Sequence, residues 1–551
     1  MTAAQPATLA ETPDRHGAFP RLTKEQIEAL LPRGERRPVA PGDVLFREGE
    51  EGDDLFVILE GQVAIVEGYG RPDERVLSVH GPGRFLGELN LLTGQASFVT
   101  AVATEPGEVL ALPADTVRDI AADDERFGDL LLRACMIRRS LLIGLGAGLR
   151  IIGSRYSPDT RRLRDFAARN RIPHVWTDLE DDPTADAVLR ELGVGPEETP
   201  LVIWGGKRLL RNPSNAELGR LIGLRASPPR GAVVDLLVVG AGPAGLAASV
   251  YGASDGLETL VLDAVATGGQ AGTSSHIENY LGFPEGISGA ELADRALIQA
   301  TKFGARLSVP AEALSLEQRG DHHVVRVDGG EELEGRTVVI ATGVRYRKLP
   351  VPRFEEFERA SIFYAATPME ALFCRGDRVV VVGGGNSAGQ ATLFLSRYAT
   401  RVKLVVRERE LTEHMSRYLA DRIARRQNVH VMLESEVREL LGDNELERVV
   451  VENNRTGKRT TLDARALFVF IGADPCNGWL GAEIALDEGG YVLTGAAAGS
   501  DLALQTSRPG VFAAGDVRSG SARRVAAAVG EGAMAVRLVH EHLHMSYAAS
   551  A

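Results

Sequence analysis

A strand that runs straight into a glycine-rich turn constrains this chain more than any other stretch. The apolar run Val233–Val239 is followed directly by Gly240-Ala241-Gly242-Pro243-Ala244-Gly245. The first glycine of such a turn allows the bend, the second lets backbone N–H groups approach a pyrophosphate, and the third lets the next helix pack on the strand. A second run, Thr259–Leu262, ends at Asp263, whose carboxylate can accept hydrogen bonds from a ribose hydroxyl. The stretch predicts a dinucleotide-binding unit with cofactor contacts at Gly240, Gly242, Pro243, Ala244, Gly245 and Asp263.

Length and charge narrow the class of protein. A chain of 551 residues predicts several domains, and a formal charge of −13 argues against nucleic acid or an anionic membrane as the main partner. No apolar run reaches membrane-spanning length, and the polar N-terminal stretch, with Pro6 and Pro13, lacks the apolar core of a signal peptide. We therefore expect a cytoplasmic location. Cys135, Cys374 and Cys476 lie too far apart in sequence for a C-x-x-C pair, and no metal site is predicted.

Residues 19–147 read as a small β domain behind a flexible tail at 1–18. Short alternating runs between Arg37 and Leu112, separated by turn residues, predict a β-barrel or jelly roll, followed by a helical segment at Asp115–Ile143. The motifs Phe56–Gly61 and Phe85–Leu89 resemble the cyclic-nucleotide-binding domain family. That resemblance implies nucleotide contacts at Gly87, Glu88 and Leu89.

One position departs from the cyclic-nucleotide pattern. The family places a phosphate-pairing arginine about nine residues after the Gly-Glu-Leu segment, and this chain has Ser97 there. A charge-assisted contact worth roughly 1.5–3 kcal/mol is therefore missing. We expect cyclic nucleotides to bind weakly or not at all, the alternative being a domain kept for docking or dimerisation.

Residues 148–225 form a second predicted unit, which the linker 226–232 joins to the rest. The pattern predicts strands at 149–153, 174–178, 201–204 and 208–211, with helices at 159–170, 182–192 and 214–224. This β-α-β-α-β-β-α order resembles the thioredoxin/glutaredoxin fold, in which Thr199-Pro200 looks like the cis-proline. Ser157-Pro158-Asp159-Thr160 takes the place of the C-P-x-C turn, so no thiol is available for disulfide exchange. A peptide-binding groove is the most that such a module could retain.

A second glycine turn follows further along. The strand Arg378–Val382 leads into Gly383-Gly384-Gly385-Asn386-Ser387-Ala388, then a predicted helix and the strand Val402–Val406. Two dinucleotide-binding units imply two cofactors, or one cofactor and a nucleotide substrate. Asp263 suits the unmodified ribose of FAD. The second unit ends in Arg407-Glu408-Arg409, which combines two cations with an acid.

Motifs between and after the two turns complete a pattern that covers residues 233–545. They are Gly268-Gly269-Gln270, Ile277–Pro284, Val338–Gly343, Gly510–Asp516 and a helix at Arg523–His540. Together they resemble the low-molecular-weight thioredoxin reductase family. The resemblance implies a homodimer with an FAD domain in two pieces, 233–347 and 467–545, and an NAD(P)H domain inserted at 348–466. The predicted fold class is thus multidomain: an N-terminal β-barrel or jelly roll with helices, an α/β thioredoxin-like domain, and two α/β Rossmann-like domains.

The same resemblance implies further cofactor contacts. For FAD it implies Gln270 and Asn279 at the isoalloxazine edge, Asp516 at the ribityl chain, and Arg523, Arg524 and Val525 near the pyrimidine end, with Gly269, Thr342, Gly343 and Gly515 alongside. For NAD(P)H it implies Gly383, Gly385, Asn386, Ser387, Arg407 and Arg409. A cation at Arg523 or Arg524 would stabilise negative charge on the reduced flavin.

The redox centre departs from the family. Thioredoxin reductases place C-A-T-C shortly before the second turn, where this chain has Tyr364-Ala365-Ala366-Thr367-Pro368-Met369-Glu370. We interpret Cys374, a few residues further on, as a buried and inert thiol. Without a dithiol, hydride can still reach FAD, but no thiolate can pass electrons to a disulfide. No catalytic side chain is therefore predicted.

Three functions fit these residues. The first is an NAD(P)H-dependent flavoenzyme that gives electrons from FAD directly to a small acceptor or electron carrier, as thioredoxin-reductase-like ferredoxin reductases without C-x-x-C do. The second is a disulfide reductase that uses a thiol from a partner or Cys374. The third is a redox- or nucleotide-sensing scaffold that acts through the N-terminal domains.

The reductant is predicted from the end of the second unit's strand. The family grips the 2′-phosphate of NADPH with H-R-R-x-x-x-R, and Val406, Arg407, Glu408 and Thr412 stand at these positions. One of the three guanidinium groups remains and an acid has entered. We expect relaxed specificity, with NADH used at least comparably to NADPH. The alternative is that Arg407 and Arg409 flank the phosphate between them.

Overall fold

The computed structural model describes residues 9–50, 54–88, 95–181, 189, 193–205, 208–225, 232–274, 277, 280–358, 361–364, 366, 370–371, 374–443 and 445–550. The predicted contacts at Leu89 and Asn279, most of the predicted helix 182–192 and the linker 226–231 lie outside these residues.

The described α-helices are α1 (Lys24–Leu30), α2 (Ala114–Asp123), α3 (Glu125–Gly144), α4 (Pro158–Arg169), α5 (Asn215–Leu221), α6 (Pro243–Ser254), α7 (Gly269–Gly272), α8 (Gly289–Lys302), α9 (Phe354–Phe357), α10 (Asn386–Leu395), α11 (Arg417–Ala424) and α12 (Val525–Ser550). Strands of the first two units are β1 (Glu35–Val39), β2 (Val44–Phe46), β3 (Asp54–Glu60), β4 (Val63–Glu67), β5 (Arg75–His80), β6 (Phe85–Leu86), β7 (Thr100–Ala103), β8 (Gly107–Pro113), β9 (Leu149–Ile152), β10 (His174–Thr177), β11 (Leu201–Trp204) and β12 (Arg208–Arg211).

The remaining strands are β13 (Val233–Val239), β14 (Thr259–Leu262), β15 (Arg306–Ser308), β16 (Ala313–Arg319), β17 (His322–Val327), β18 (Glu332–Ile340), β19 (Val344–Tyr346), β20 (Ile362–Phe363), β21 (Arg378–Val382), β22 (Arg401–Val405), β23 (Val429–Met432), β24 (Ser435–Leu441), β25 (Arg448–Asn453), β26 (Arg459–Asp463), β27 (Ala466–Val469), β28 (Ala473–Pro475) and β29 (Val511–Ala513).

The N-terminal unit is β-rich, as predicted. Two four-stranded sheets, ordered β1-β8-β3-β6 and β2-β7-β4-β5, enclose its apolar core. The single helical segment expected at Asp115–Ile143 is instead two helices, because the Asp124 side chain accepts hydrogen bonds from the N–H groups of Arg126 and Phe127 and so caps α3. The flexible tail predicted for 1–18 is wrong for its described part. Thr12 pairs its backbone with Val79 at 3.0 Å and Ala18 is fully buried.

The second unit is a four-stranded sheet in the order β10-β9-β11-β12. Strand β9 runs parallel to β10 and antiparallel to β11, and β12 is antiparallel to β11. Ser157 caps α4 by accepting from the Thr160 N–H, and the Thr199-Pro200 bond is cis. The predicted strands are present with ends one residue shorter at 149–152 and 174–177. The thioredoxin-like assignment itself stays a prediction.

The second unit covers part of the first. Ser97 and Phe98 are buried, and the Phe98 ring lies 6.1 Å from the Trp204 ring of β11. The Glu48 carboxylate accepts a hydrogen bond from the Gly205 N–H at 3.1 Å. The neighbours of Ser97 therefore pack against the second unit, while Ser97 itself is buried and exchanges backbone hydrogen bonds with Gly49 and Glu50 of its own domain.

The large C-terminal part contains two nucleotide-type sheets. The first has seven strands, ordered β15-β14-β13-β18-β17-β16, with β29 parallel to β18. Helices α6, α8 and α12 pack on it around a core of small and branched apolar side chains. Helix α12 continues past the predicted end at His540 to Ser550.

The second sheet is parallel, in the order β20-β27-β21-β22-β23, and is accompanied by the antiparallel sheet β24-β25-β26. Here the predicted boundary at residue 467 is too early, since Ala466–Val469 pairs with β20 and β21 inside the inserted unit. The chain returns through β28, which pairs antiparallel with β19. The two chain segments that connect the sheets contain β19 and β28 and therefore lie side by side in one two-stranded antiparallel ribbon.

Buried polar contacts join the N-terminal units to the first nucleotide sheet. Arg139 of α3 donates to the carbonyl of Asn170 at 3.0 Å, and the Asn170 side chain donates to the carbonyl of Val265 at 3.0 Å. The next residue, Arg171, forms an ion pair with Asp294 of α8. A continuous line of contacts thus runs from α3 to the loop and helix beside the first glycine turn.

Within the described residues, no helix combines the length and the apolar character needed to cross a membrane. The same residues bring together no group of three or more His, Cys, Asp or Glu side chains suited to a metal ion.

Candidate functional site

The first glycine turn has the shape that a dinucleotide pyrophosphate requires. Gly240 adopts φ +110°, and a Cβ there would lie 2.3 Å from the carbonyl of Ala341. A Cβ on Gly245 would lie 1.7 Å from the carbonyl of Gly240, so only glycine lets α6 pack this closely. Gly242 precedes Pro243, the first residue of α6, and the nearest heavy atom to a Cβ on Gly242 is 3.9 Å away. The Ala244 side chain belongs to the apolar core and lies against Gly515. The residues present leave room for phosphate oxygens at a helix N-terminus and fit FAD.

Asp263 holds the turn together. Its carboxylate accepts hydrogen bonds from the backbone N–H of Ala241 at 2.8 Å and from those of Val265 and Ala266 at 2.9 and 3.0 Å. Burial raises the pKa of Asp263, while these three N–H groups favour its charged form. This structural role was not foreseen from the sequence. Its contact with a ribose hydroxyl stays a prediction.

The Gly268-Gly269-Gln270 segment closes over the turn. Gly268 adopts φ +93° and donates to the carbonyl of Ala241 at 2.7 Å, and a Cβ on Gly269 would lie 3.0 Å from Gly242. The Gln270 amide donates to the carbonyl of Val344 at 3.4 Å. The structure thus places Gly269 against the turn and the Gln270 side chain against Val344, and their contacts with FAD stay predictions.

Thr342 and Gly343 lie where β18 leaves the first sheet. The Thr342 hydroxyl donates to the carbonyl of Cys476 at 2.7 Å, and the Cys476 N–H donates to the carbonyl of Gly343 at 3.0 Å. These hydrogen bonds link the segment that leaves the first sheet to the segment that returns to it, beside the first glycine turn.

Gly515 and Asp516 follow β29 at the edge of the same turn. The Gly515 N–H donates to Glu531 of α12 at 2.7 Å, and Glu531 forms an ion pair with Arg518 at 2.6 Å. Sequence reasoning missed Glu531, whose signal is a single acid in the apolar first half of α12, Val525–Val536. Burial raises the pKa of Asp516, and the positive charge of Arg523 opposes that shift.

Arg523 carries the clearest backbone strain at the site. It is a non-glycine residue at φ +48°, and its guanidinium donates to the Tyr491 hydroxyl at 2.6 Å and lies 5.0 Å from the centre of that ring. Such strain persists only where surrounding contacts hold it, and it is common at ligand sites. Arg524 is exposed beside it, and Val525 begins α12.

The second glycine turn repeats the geometry of the first. Gly383 adopts φ +140°, and a Cβ there would lie 2.4 Å from the carbonyl of Phe470. Gly385 precedes α10 and has open space in front of it. The side chain of Asn386 accepts from the Ser416 N–H at 2.7 Å, and Ser387 is exposed in the first turn of α10. This turn fits the pyrophosphate of a pyridine dinucleotide.

Glu408, unlike its two neighbours, points inward. The side chains of Arg407 and Arg409 are 73% and 85% exposed, whereas that of Glu408 is 11% exposed. The structure therefore brings the acid closest to the glycine turn, while Arg407 lines the cleft beside it with a largely exposed side chain and Arg409 does not line the cleft.

One cleft opens at the second glycine turn. It has a volume of about 990 Å³ and reaches from Gly383, Gly384 and Gly385 to Asp516 and Arg523. Tyr346 and Tyr364 lie on its wall with their rings stacked, 5.3 Å apart at 7°. The Tyr364 hydroxyl donates to Glu358 at 2.6 Å. Sequence reasoning did not single out either tyrosine.

The thiols are poor nucleophiles. Cys374 is fully buried in the core of the inserted unit, and burial raises its pKa to about 12. Burial also raises the pKa of Cys135 to about 12 and raises that of Cys476. None of the three forms a disulfide. Residues 365 and 367–369, at the position of the family's dithiol, lie outside the described residues, and the sequence holds no cysteine there.

The fold and the two turns place the chain in a family. It belongs to the pyridine nucleotide-disulphide oxidoreductases, whose family model matches residues 234–532. It is an FAD-dependent NAD(P)H oxidoreductase of the thioredoxin reductase-like kind. A second family model, the cyclic nucleotide-binding domain, matches residues 36–124.

Relatives cover the C-terminal part of the chain. A 34.2 kDa protein in the rubredoxin operon of Clostridium pasteurianum is 35% identical over 310 residues, which is 56% of this chain and 97% of that protein. The thioredoxin reductase of Treponema pallidum is 33% identical over 309 residues, with the same coverage. The crystal structure of Lactococcus lactis thioredoxin reductase (FR conformation) is 29% identical, covers 57% of this chain and 99% of its own, and aligns with a TM-score of 0.48.

Proposed function

We propose that this enzyme passes electrons from FAD directly to a small acceptor or an electron carrier, without a protein dithiol. The observation that carries the proposal is the segment Tyr364–Glu370, which has no cysteine where the family has two. Cys374, the nearest thiol in sequence, is buried with a raised pKa, so it supplies little thiolate near neutral pH.

The chain's own residues would hold and polarise the cofactor. When bound, FAD accepts a hydride from NAD(P)H and passes electrons on. The N-terminus of α6 would hold the pyrophosphate through backbone N–H groups, and Glu531 fixes Gly515 next to Asp516. Arg523 would supply positive charge on the pyrimidine side of the flavin, where the family resemblance puts it and where negative charge would grow on reduction.

The stacked tyrosines define the space for an acceptor. Tyr346 and Tyr364 occupy the wall near the position of the family's dithiol. The two rings offer apolar contact but, unlike a dithiol, cannot take up two electrons and pass them on. An acceptor therefore has to reach the cofactor itself. The cleft volume of about 990 Å³ lies at the upper end of the range for small-molecule and cofactor sites.

The proposal extends to the partners. The enzyme forms a homodimer, as the family resemblance implies, and its N-terminal domain binds cyclic nucleotides weakly or not at all. One observation supports weak binding: Ser97 stands where the family has its phosphate-pairing arginine.

Anaerobic stopped-flow mixing with NADH and with NADPH, followed by an acceptor screen, tests the proposal. We expect loss of the visible flavin absorbance with a reduced pyridine nucleotide, then turnover with quinones, ferricyanide or ferredoxin. Thioredoxin and a small disulfide dye should react no faster than with free flavin.

Cys374→Ser is the control variant and should behave like the parent protein. Disulfide turnover that disappears in Cys374→Ser would contradict the proposal. Flavin that neither nucleotide reduces would favour the sensing scaffold instead.

A further inference from the structure

We propose that Glu408 makes this enzyme select NADH over NADPH by accepting hydrogen bonds from the ribose hydroxyls of the adenosine half. The inference rests on the proposed function only in that the second glycine turn binds a pyridine dinucleotide. It replaces the relaxed specificity expected from the sequence with a definite preference, and it assigns that preference to one side chain.

Strand pairing brings Glu408 next to the turn. Strands β21 and β22 are parallel, with Val382 opposite Val405, so the chain leaves both strands at the same edge of the sheet. The Gly383 N–H donates to the carbonyl of Val405 at 3.0 Å and fixes this arrangement. In such sheets the adenosine ribose lies beside the acid that ends the second strand.

The carboxylate faces the turn at close range. A Cβ built on Gly384 would lie 2.5 Å from Oε2 of Glu408, so glycine at 384 is what leaves space for the carboxylate. Oε1 accepts from Nε of Arg407 at 2.9 Å. Oε2 is buried and has no hydrogen-bond partner among the described residues.

An unsatisfied buried carboxylate oxygen is unfavourable until a donor arrives. Ribose hydroxyls are such donors, and the 2′-hydroxyl is the group that distinguishes NADH from NADPH. A 2′-phosphate at the same place has no proton to offer at neutral pH and repels the carboxylate.

The two cations do not rebuild a phosphate site. Nε of Arg407 is already bonded to Glu408, and its side chain is 73% exposed. Arg409 is 85% exposed and lies 3.6 Å from Glu434. His414, also exposed, lies 4.0 Å from Oε1 of Glu408. Arg407 lines the cleft beside the turn, but Arg409 does not, so the alternative in which both flank a phosphate would require Arg409 to turn inward and Arg407 to leave Glu408.

Equilibrium binding tests the inference without turnover. The FAD-loaded protein is titrated calorimetrically with NAD⁺, NADP⁺, 5′-AMP and 2′,5′-ADP. One charge-assisted hydrogen bond corresponds to about tenfold to a hundredfold in affinity. We therefore expect NAD⁺ and 5′-AMP to bind at least tenfold more tightly than their 2′-phosphorylated counterparts.

Three variants sharpen the test. Glu408→Gln should weaken NAD⁺ and remove most of the discrimination, and Glu408→Arg should reverse it in favour of NADP⁺. Glu410→Gln is the matched control, because it removes the same charge from an exposed residue two positions further on and should leave the ratio unchanged.

Equal affinity of the parent protein for NAD⁺ and NADP⁺, or a preference for NADP⁺, would overturn the role of Glu408 and leave the flavoenzyme proposal standing. An equal loss of both nucleotides in Glu408→Gln would also overturn it. A protein that binds no dinucleotide at all would overturn both proposals.

Discussion

The ion pair between Arg171 and Asp294 makes a sharp prediction about how the N-terminal units are held. Their side chains are only 24% and 12% exposed. Removing one partner of a buried pair costs 3–5 kcal/mol, because the other charge is left without compensation. Arg139 also favours the charged form of Asp294 and stays in place. We therefore expect Arg171→Ala to destabilise the junction by about 2 kcal/mol at neutral pH.

The loss should depend on pH with a defined sign. Burial raises the pKa of Asp294, and Arg139 and Arg171 oppose that shift, so Arg171→Ala should raise the pKa further. A carboxyl whose pKa is higher in the folded state loses stability as pH rises from its unfolded value through its folded value. The deficit of Arg171→Ala should therefore be full at high pH and shrink as the pH falls through the raised folded-state pKa of Asp294.

Urea unfolding followed by tryptophan fluorescence measures this effect, since Trp176 and Trp204 both lie in the second unit. Asp294→Asn in the Arg171→Ala background is the control. It removes the unpaired charge and should recover most of the loss and all of its pH dependence. A midpoint that Arg171→Ala leaves unchanged at pH 8, or a deficit that grows toward pH 5, would refute this reasoning.

Two further predictions concern the ligands. The purified protein should be yellow with about one FAD per chain, and Gly245→Val should be colourless because a Cβ at 245 would lie 1.7 Å from a carbonyl oxygen; parent protein that stays free of flavin when FAD is added would contradict this. Cyclic AMP and cyclic GMP should show no micromolar binding by calorimetry, because Ser97 supplies no guanidinium. Micromolar affinity that Glu88→Ala abolishes would contradict this, because other residues of the N-terminal domain would then replace the missing guanidinium.

The local part of the site could be predicted from the sequence. A glycine turn of this kind has a strand directly before it and a helix directly after it. Gly240–Gly245 and Gly383–Gly385 could therefore be identified from the residues next to them in sequence. The inward direction of Glu408 was not within reach. Side chains alternate along a strand, but the strand ends at Val405, and Glu408 lies in the bend beyond it.

Long-range features could not be predicted in this way. Glu531 bonds the Gly515 N–H across 16 positions of sequence, and Tyr346 meets Tyr364 only because β19 and β20 lead both rings to one cleft. Ala466–Val469 is an apolar strand, and nothing in its own sequence indicates which of the two nucleotide-type sheets it joins. Its placement depends on pairing partners far away in the chain, which is why the predicted boundary was wrong.

The junction between the N-terminal units and the flavin-side sheet has an evolutionary consequence. Most of its hydrogen bonds end on backbone carbonyls: Arg139 on Asn170, Asn170 on Val265, Arg225 on Asp328, and the Val309 N–H on Leu224. Every residue carries a carbonyl whatever its side chain, so the accepting positions can change identity without losing the bond. The junction can therefore keep its geometry while the accepting residues change in sequence. Among the described residues, the charged partners that must change together are Arg171 with Asp294 and Arg225 with Asp328 and Glu331.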